Sequence, residues 1–465
     1  YEQECDLSKD QTTGFELKRY NGNRTWSLTG DARLNEFFTQ TEWLPRFDHF
    51  LLGQSLLYDR LTWYARSNVG YARLRVGEEP LNPQEIAKWD PLAWETDLGG
   101  AVPVDREGLR AVTRQELDLP VALGPVKVVP YIAGELGYWG EDLTGAEVAR
   151  AFGQAGVRAA LPFWRVDPTV QSTLFNLNGL AHKVVFDVDV FWSDADQDLD
   201  RFPLYDPLDD DSTEHFRRRL FFDTFGGIKG IGDNVALRFD ERYFALRSGM
   251  QSQVTAPSAE IAGDLTLARV GVRQRWQTKR GLPGQQHVVD WLVLDVEGAF
   301  FPDADRDNFG EPFGLLDYDL RWHVGDRFTV LSDGFADFFD EGLRTVSIGG
   351  KITRPERSSL YLGYRSIEGP ISSNILSGSI GYRSSEKWII SAGAAVDLGE
   401  TGSIGQNLTI TRIGESVLLR FGFNVDVSRG NVGVTVAIEP RFLPRNRLGL
   451  VGGVQIPPAG AYGLE

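Results

Sequence analysis

The chain has 465 residues, with 48 Lys and Arg against 65 Asp and Glu and a formal net charge of −17. That balance excludes the basic footprint nucleic acid requires, and no run approaches the roughly 18 to 20 apolar residues of a membrane helix. Cys5 is the only cysteine, which excludes an internal disulfide and a cysteine zinc cluster and leaves a lone thiol or half of a bond to a cysteine elsewhere. The start at Tyr1, with no signal-peptide apolar region, reads as a mature chain or an excised piece.

Segments with alternating polarity run almost without interruption. They are expected near 13–20, 24–34, 36–48, 60–76, 109–119, 124–139, 149–164 and 169–192. More are expected near 235–248, 262–278, 287–300, 313–323, 326–335, 342–353, 358–367 and 372–384, then 386–398, 403–413, 416–428, 430–442 and 447–456. The clearest pair lies near the end. Val417, Leu419, Phe421, Phe423, Val425 and Val427 alternate with polar or small residues, Leu418 being the exception, and Val432, Val434, Val436 and Ile438 resume after a turn at Arg429–Asn431. Successive strand side chains point to opposite faces, so each segment has one oily and one wet face. A soluble sandwich buries the oily face, whereas a membrane barrel turns it to lipid.

The fold expected is all-β: one large antiparallel transmembrane β-barrel domain over residues 1–465, of roughly 20 to 26 strands. A tight turn at Ser384–Lys387 contrasts with long connections at 77–108, 193–233 and 301–312, the first holding a short helix at Pro83–Trp89. No internal repeat suggests a propeller. Trp139, Trp164 and Trp388 end or open segments, as an interfacial girdle requires; rings filling a soluble core would look the same.

Candidate chemistry is sparse. Asp194, Asp196, Asp198 and Asp200 alternate, Asp209–Asp211 come next, and Asp303, Asp305 and Asp307 form a second cluster with Glu311 beyond. Carboxylates so spaced can chelate Ca²⁺ or Mg²⁺, although Leu199 and Asn308 stand where an EF-hand needs glycine; a solvated acidic loop is the plainer reading. No other cofactor is indicated. His49, His182, His215, His287 and His323 are scattered, and no zinc, hydrolase or phosphate-loop motif occurs, so an enzyme is not expected. Arg217, Arg218 and Arg219 flank a strand start or meet lipid phosphate.

Read in order, several strand-and-turn motifs resemble one family. They are Thr41-Glu42-Trp43-Leu44-Pro45-Arg46 before the Leu61–Arg75 strand, and Arg114-Gln115-Glu116-Leu117-Asp118-Leu119-Pro120 leading into Pro125-Val126-Lys127-Val128-Val129-Pro130-Tyr131. The Gly153–Arg165 strand precedes Gly179-Leu180-Ala181-His182-Lys183, and Arg275-Trp276-Gln277-Thr278-Lys279-Arg280 precedes the Trp291–Glu297 strand. Together they resemble LptD, the organic solvent tolerance family, across essentially the whole chain.

The resemblance implies an integral outer-membrane barrel of about 26 strands that assembles lipopolysaccharide, or a related glycolipid, into the outer leaflet. It implies a plug lipoprotein inside the barrel, periplasmic bridge proteins, outer-membrane lipids as surroundings, and a periplasmic jellyroll lying before Tyr1. The lipid leaves through a lateral seam, carried here by Thr13, Phe15, Leu17, Arg19, Trp26 and Leu28 of the first strands. The closing strand, Arg447–Ile456, supplies Leu448, Gly449, Leu450, Gly452 and Gly453, with Pro457 directly after it. The family's early-strand prolines and paired cysteines are missing: no proline precedes Pro45 and Cys5 stands alone. Acidic residues are expected to cluster in the loops, with lumen Arg and Lys nearer the lipid path. The alternatives are a porin or substrate-specific channel, needing a long loop folded into the lumen and a firmly paired seam, and a soluble all-β binding protein.

Overall fold

The computed structural model describes residues 13–34, 39–77, 104–206, 208, 238, 241–282, 284–340, 342–355, 357–369, 372–399, 402–427, 430–440, 450–451 and 454–455. The fold is all-β, with a 20-stranded antiparallel sheet and a separate two-stranded ribbon. The first strands are β1 (Thr13–Asn21), β2 (Arg24–Ala32), β3 (Gln40–Leu56), β4 (Leu61–Arg75), β5 (Arg106–Asp118), β6 (Val121–Leu123) and β7 (Val126–Trp139). Then come β8 (Val148–Ser172), β9 (Leu177–Ala195), β10 (Leu265–Arg280), β11 (His287–Phe300), β12 (Phe313–His323), β13 (Phe328–Ala336) and β14 (Arg344–Arg354). The last are β15 (Ser358–Glu368), β16 (Ser373–Ser385), β17 (Trp388–Asp397), β18 (Ser403–Ile413), β19 (Val417–Asp426) and β20 (Asn431–Pro440). The chain divides into two compact units. Unit 1 comprises Tyr1–Leu161, Asp187–Val270 and Ala299–Gly314; unit 2 comprises Pro162–Phe186, Gly271–Gly298 and Leu315–Glu465.

In unit 2, each strand from β12 to β20 pairs with the next, and the register keeps the apolar positions on one face. Ile348 stands opposite Tyr364, Leu360 opposite Ile380, Leu408 opposite Phe423, and Phe421 and Phe423 opposite Val436 and Val434. These side chains are exposed: Leu362 is 59%, Phe421 50% and Val434 74% accessible. The opposite face is polar or small, with Ser347 beside Arg365, Ser391 beside Thr409, and Gly422 beside Thr435.

Leu418 breaks the alternation for a local reason. It lies directly opposite Ile413 on the polar face, beside the turn in which Gly414 N–H donates to the Val417 carbonyl. There it forms a small buried cluster with Ile389 and Ile413. The hairpin turn before β20 uses Gly430 at φ 63, a left-handed conformation that glycine adopts without cost. The turn between β16 and β17 is shorter than expected, because β16 continues to Ser385.

Several expectations need correction. The segment near 235–248 is not a strand. Residues Glu241–Arg247 form a helix, α1, which stops before Gly249 at φ 70, as glycine-terminated helices do. Its apolar run reads as strand because the helix is buried on nearly every described side, which removes the polar face that marks a surface helix. The 301–312 connection holds a further helical turn, α2 (Ala304–Asp307). The expected closing strand at 447–456 is, in its described part, a ribbon of β21 (Leu450–Val451) against β22 (Val454–Gln455). Pro83–Trp89, Cys5, His215, Arg217–Arg219 and Asp209–Asp211 lie outside the described residues.

Truncating Leu418 tests the turn cluster. Leu418→Ala is expected to lower unfolding stability by about 2–4 kcal/mol, as for other buried leucines. Chemical denaturation checks this, and a change below about 0.5 kcal/mol, the range of ordinary surface substitutions, would contradict the cluster.

Candidate functional site

Within unit 1, the described residues of the connection between β9 and β10 fold back onto the strands. Phe202, Leu204, Tyr205, Leu208, Ala245, Ala259 and Ile261 pack into a core with Trp43, Leu74, Val112, Trp139 and Val148 from the strands. Leu199 and Leu246 join a second core with Tyr131, Phe191, Leu265, Leu267 and Phe301. The strand face beneath is charged at alternate positions because strand side chains repeat every second residue. Arg46 and Asp48 stand on β3, Arg66 on β4, Arg110, Arg114 and Glu116 on β5, Glu135 on β7, and Arg150 and Arg158 on β8. Register places Arg110 opposite Trp139 and Arg114 between Arg66 and Glu135. Pro45 within β3 sits where the ladder with β4 shifts register, a position that does not need its missing N–H.

The folded-back connection is tied down by charge. Asp206 pairs with Arg46 and, at 2.7 Å, with Arg110, whose other terminal nitrogen is 3.1 Å from Glu260. Glu260 accepts hydrogen bonds from the Trp139 indole at 3.1 Å and from Ser258. Arg150 pairs with Glu135 at 2.6 Å and donates to the Ala259 and Ala262 carbonyls. Its guanidinium also lies 5.0 Å from the Trp139 ring centre and 4.8 Å from that of Phe202, within cation–π range. Arg158 bonds Glu116 and the Ser252 carbonyl, each at 2.6 Å, and Glu116 accepts the Val254 N–H at 3.0 Å. Arg114 donates to the Gln154 side chain at 2.9 Å and to the Gln251 carbonyl; Arg66 donates to the Ala256 carbonyl. Buried charges are tolerated only when paired and hydrogen-bonded; Arg46 and Arg110 find their carboxylates on the connection, whereas Arg150 and Arg158 find theirs on neighbouring strands and add carbonyls of the connection. The arrangement is a latch.

Outside the strands, two carboxylates are held ionised. Burial alone pushes Asp206 up, but Arg110 and Arg46 overcome this and hold it far below the usual carboxylate range. Burial likewise opposes ionisation of Asp142, yet hydrogen bonds from Thr144, Arg201 and the Ala146 N–H pull it down to about 2. Asp142 anchors the connection through Arg201, 2.6 Å away. The Tyr205 hydroxyl is pushed up, by burial first and then by Glu260.

The first-strand residues expected at the seam face one another in the β1–β2 hairpin. Leu17 faces Leu28 and Arg19 faces Trp26, while Thr13 and Phe15 face Ala32 and Gly30. All of β1 is exposed. Leu450 lies in β21, whereas Leu448, Gly449, Gly452, Gly453 and Pro457 lie outside the described residues. The metal expectation is corrected: among the described residues no group of three His, Cys, Asp or Glu is placed to hold an ion. Asp194 and Asp198 are exposed, Asp196 accepts the Ala151 N–H at 2.9 Å, and Asp303 and Asp307 engage Arg306, with Asp305 exposed beside them. Trp164 and Trp388 are exposed as a girdle requires, but Trp139 is a core residue. The acidic residues are not confined to loops, since Glu116 and Glu135 are buried on the strands. The arginine face was not singled out from sequence. Its signal is present as Arg106, Arg110, Arg114, Glu116 and Asp118, all on one parity of a single strand.

No family model and no curated protein sequence matches the chain. Among solved structures it is similar to a mutant porin of Rhodopseudomonas blastica, at 10% identity over 72% of this chain and 91% of that one, with a TM-score of 0.26. It is also similar to Pseudomonas aeruginosa FpvA bound to heterologous pyoverdines, at 8% identity over 92% of this chain and 62% of that one, TM-score 0.31. The FpvAI–pyocin S2 complex matches at 9% identity over 90% of this chain and 60% of that one, TM-score 0.32. The chain thus spans about 60% of the length of the FpvA structures it matches.

The pH response of the latch has a defined sign. Carboxylates whose folded-state pKa is depressed contribute stability above their unfolded value and lose it as pH falls through the folded one. For Asp142 that window runs from 3.8 down to about 2. Protease access to the β9–β10 connection is therefore expected to stay flat at neutral and mildly acid pH and to rise across this window. In Asp142→Asn the connection should already be more accessible at neutral pH.

Proposed function

We propose that the chain is an integral β-barrel of a bacterial outer membrane that passes a hydrophilic solute, with the β9–β10 connection as its constriction. The observation that carries the membrane reading is the exposed apolar face of β12–β20, backed strand by strand by a polar face. An apolar surface this extensive marks contact with lipid or a partner, and a closed sheet of alternating strands can satisfy every backbone group within a bilayer. In a soluble sandwich, Val432, Val434, Val436 and Ile438 would be covered by a second sheet; among the described residues they are exposed. The constriction reading rests on the connection seated on the charged face of unit 1, which is the loop a channel requires. Under this reading no bond is made or broken.

A second reading is supported by one separate observation. β1 is accessible along its whole length, with Phe15 at 56% and Leu17 at 59%. An accessible edge strand suits a lateral exit for lipopolysaccharide or a related glycolipid, in keeping with the LptD resemblance and with a plug lipoprotein and periplasmic bridge proteins as partners.

Three measurements separate these readings. The purified chain is expected to need detergent, and Val434→Arg to weaken folding into bilayers by about 2–4 kcal/mol; a monodisperse protein in plain buffer would overturn the membrane reading. In planar bilayers, Glu260→Gln is expected to raise conductance by loosening the constriction, and an unchanged trace would count against the channel. Photo-crosslinkers at Phe15 and Leu17 should capture glycolipid only if the seam is an exit.

A further inference from the structure

The latch is satisfied unevenly. Four arginines donate to carbonyls of residues 251–262, namely Arg66, Arg114, Arg150 and Arg158. Arg150 and Arg158 have carboxylates at 2.6 Å, while Arg114 has only Glu135 at 3.8 Å. Arg66 has no carboxylate within ion-pair distance among the described residues. Arg66 and Arg114 stand directly opposite one another in the β4–β5 ladder, where like charges repel. Neutral carbonyls occupy one N–H of each, and the carboxylates that act on them from farther off, Asp206 and Asp48 on Arg66 and Glu135 and Glu116 on Arg114, form no close ion pair with either.

A cavity lies at this rung, bounded by Arg66, Asn68 and Arg114 on the strands and by Val254 and Ser258 on the connection. It has room for about one water-sized particle. The Arg114 side chain is 2% exposed, and its Nε and Nη1, with Nε of Arg66, are buried without a hydrogen-bond partner. Buried N–H groups of this kind are costly to leave unmet. Glu135 also borders the cavity, but its nearer partner is Arg150; Glu116 is engaged by Arg158 and Asp206 by Arg46 and Arg110, which among the described residues leaves Arg66 and Arg114 as the wall arginines without a close carboxylate.

We infer that this cavity is a binding site for a small monovalent anion, of halide size and charge, held between Arg66 and Arg114. The anion supplies the missing negative charge and accepts the orphaned N–H groups, in charge-assisted bonds stronger than neutral ones. It thereby ties the connection to β4 and β5. The site belongs to unit 1 alone and stands whether or not solute crosses the membrane.

The test uses the full chain in detergent, unfolded thermally while sodium bromide replaces sodium gluconate at constant ionic strength. Wild type should show a melting temperature that rises and saturates with bromide. Arg66→Gln, at a half-buried position, should weaken the bromide midpoint by about tenfold or more, as expected for a lost bond to a charged group. Arg19→Gln, on exposed β1, should respond as wild type. A flat wild-type response would mean that water fills the site, and an unaltered midpoint in Arg66→Gln would mean that bromide acts elsewhere; either result overturns the proposal.

Discussion

A β-strand cannot aim one side chain at a neighbour without aiming the next the opposite way, and every feature of this protein answers to that constraint. In unit 2 it yields an exposed face of Ile348, Leu362, Phe421 and Val434, with Ser377, Thr409 and Thr435 behind it. In unit 1 the same rule keeps Arg110, Arg114 and Glu116 of β5 and Arg150 and Arg158 of β8 on one face, where they would be costly unless met. The chain meets them with its own β9–β10 connection. One geometric rule therefore forces two different solutions: surroundings that accept oil on one unit, and an internal partner for charge on the other.

The charged face is matched by a division of labour. Carboxylates set apart in sequence, Asp206 and Glu260, neutralise Arg46 and Arg110, while backbone carbonyls at 251–262 receive the arginines deeper along the strands. Aromatic rings fill the space between. Arg150 is sandwiched by Trp139 and Phe202, and Arg158 lies 3.7 Å from the centre of the Tyr131 ring. Flat guanidinium groups suit this because their faces stack while their edges donate.

How far the sequence revealed this differs by level. Strand positions were legible because alternation is local: β12 to β20 fall within a few residues of the expected segments. Leu418 looked anomalous because its partners, Ile389 and Ile413, become visible only in the register. Residues 241–247 misread as strand because a short buried helix lacks the polar face that gives helices away. The latch was hidden for a different reason. Arg114 and Gln251 are 137 residues apart, and nothing near either announces the other. The polar composition of the connection suggested solvent, whereas Phe202, Leu204, Tyr205 and Ile261 within it are what seat it in the core.

The carbonyl half of the grip carries one more implication. An oxygen on the main chain is the same whatever residue owns it, so Arg66, Arg150 and Arg158 recognise the path of 252–262 rather than its lettering. Recoding Ser252, Ala256 or Ala259 leaves those bonds intact provided the chain traces the same curve. The arginines have no such latitude, since only a forked cation reaches two carbonyls and a carboxylate together, as Arg150 does. The carbonyl half of the grip thus fixes the strap's course, while Asp206 and Glu260 keep the other half as dependent on side chains as the wall itself.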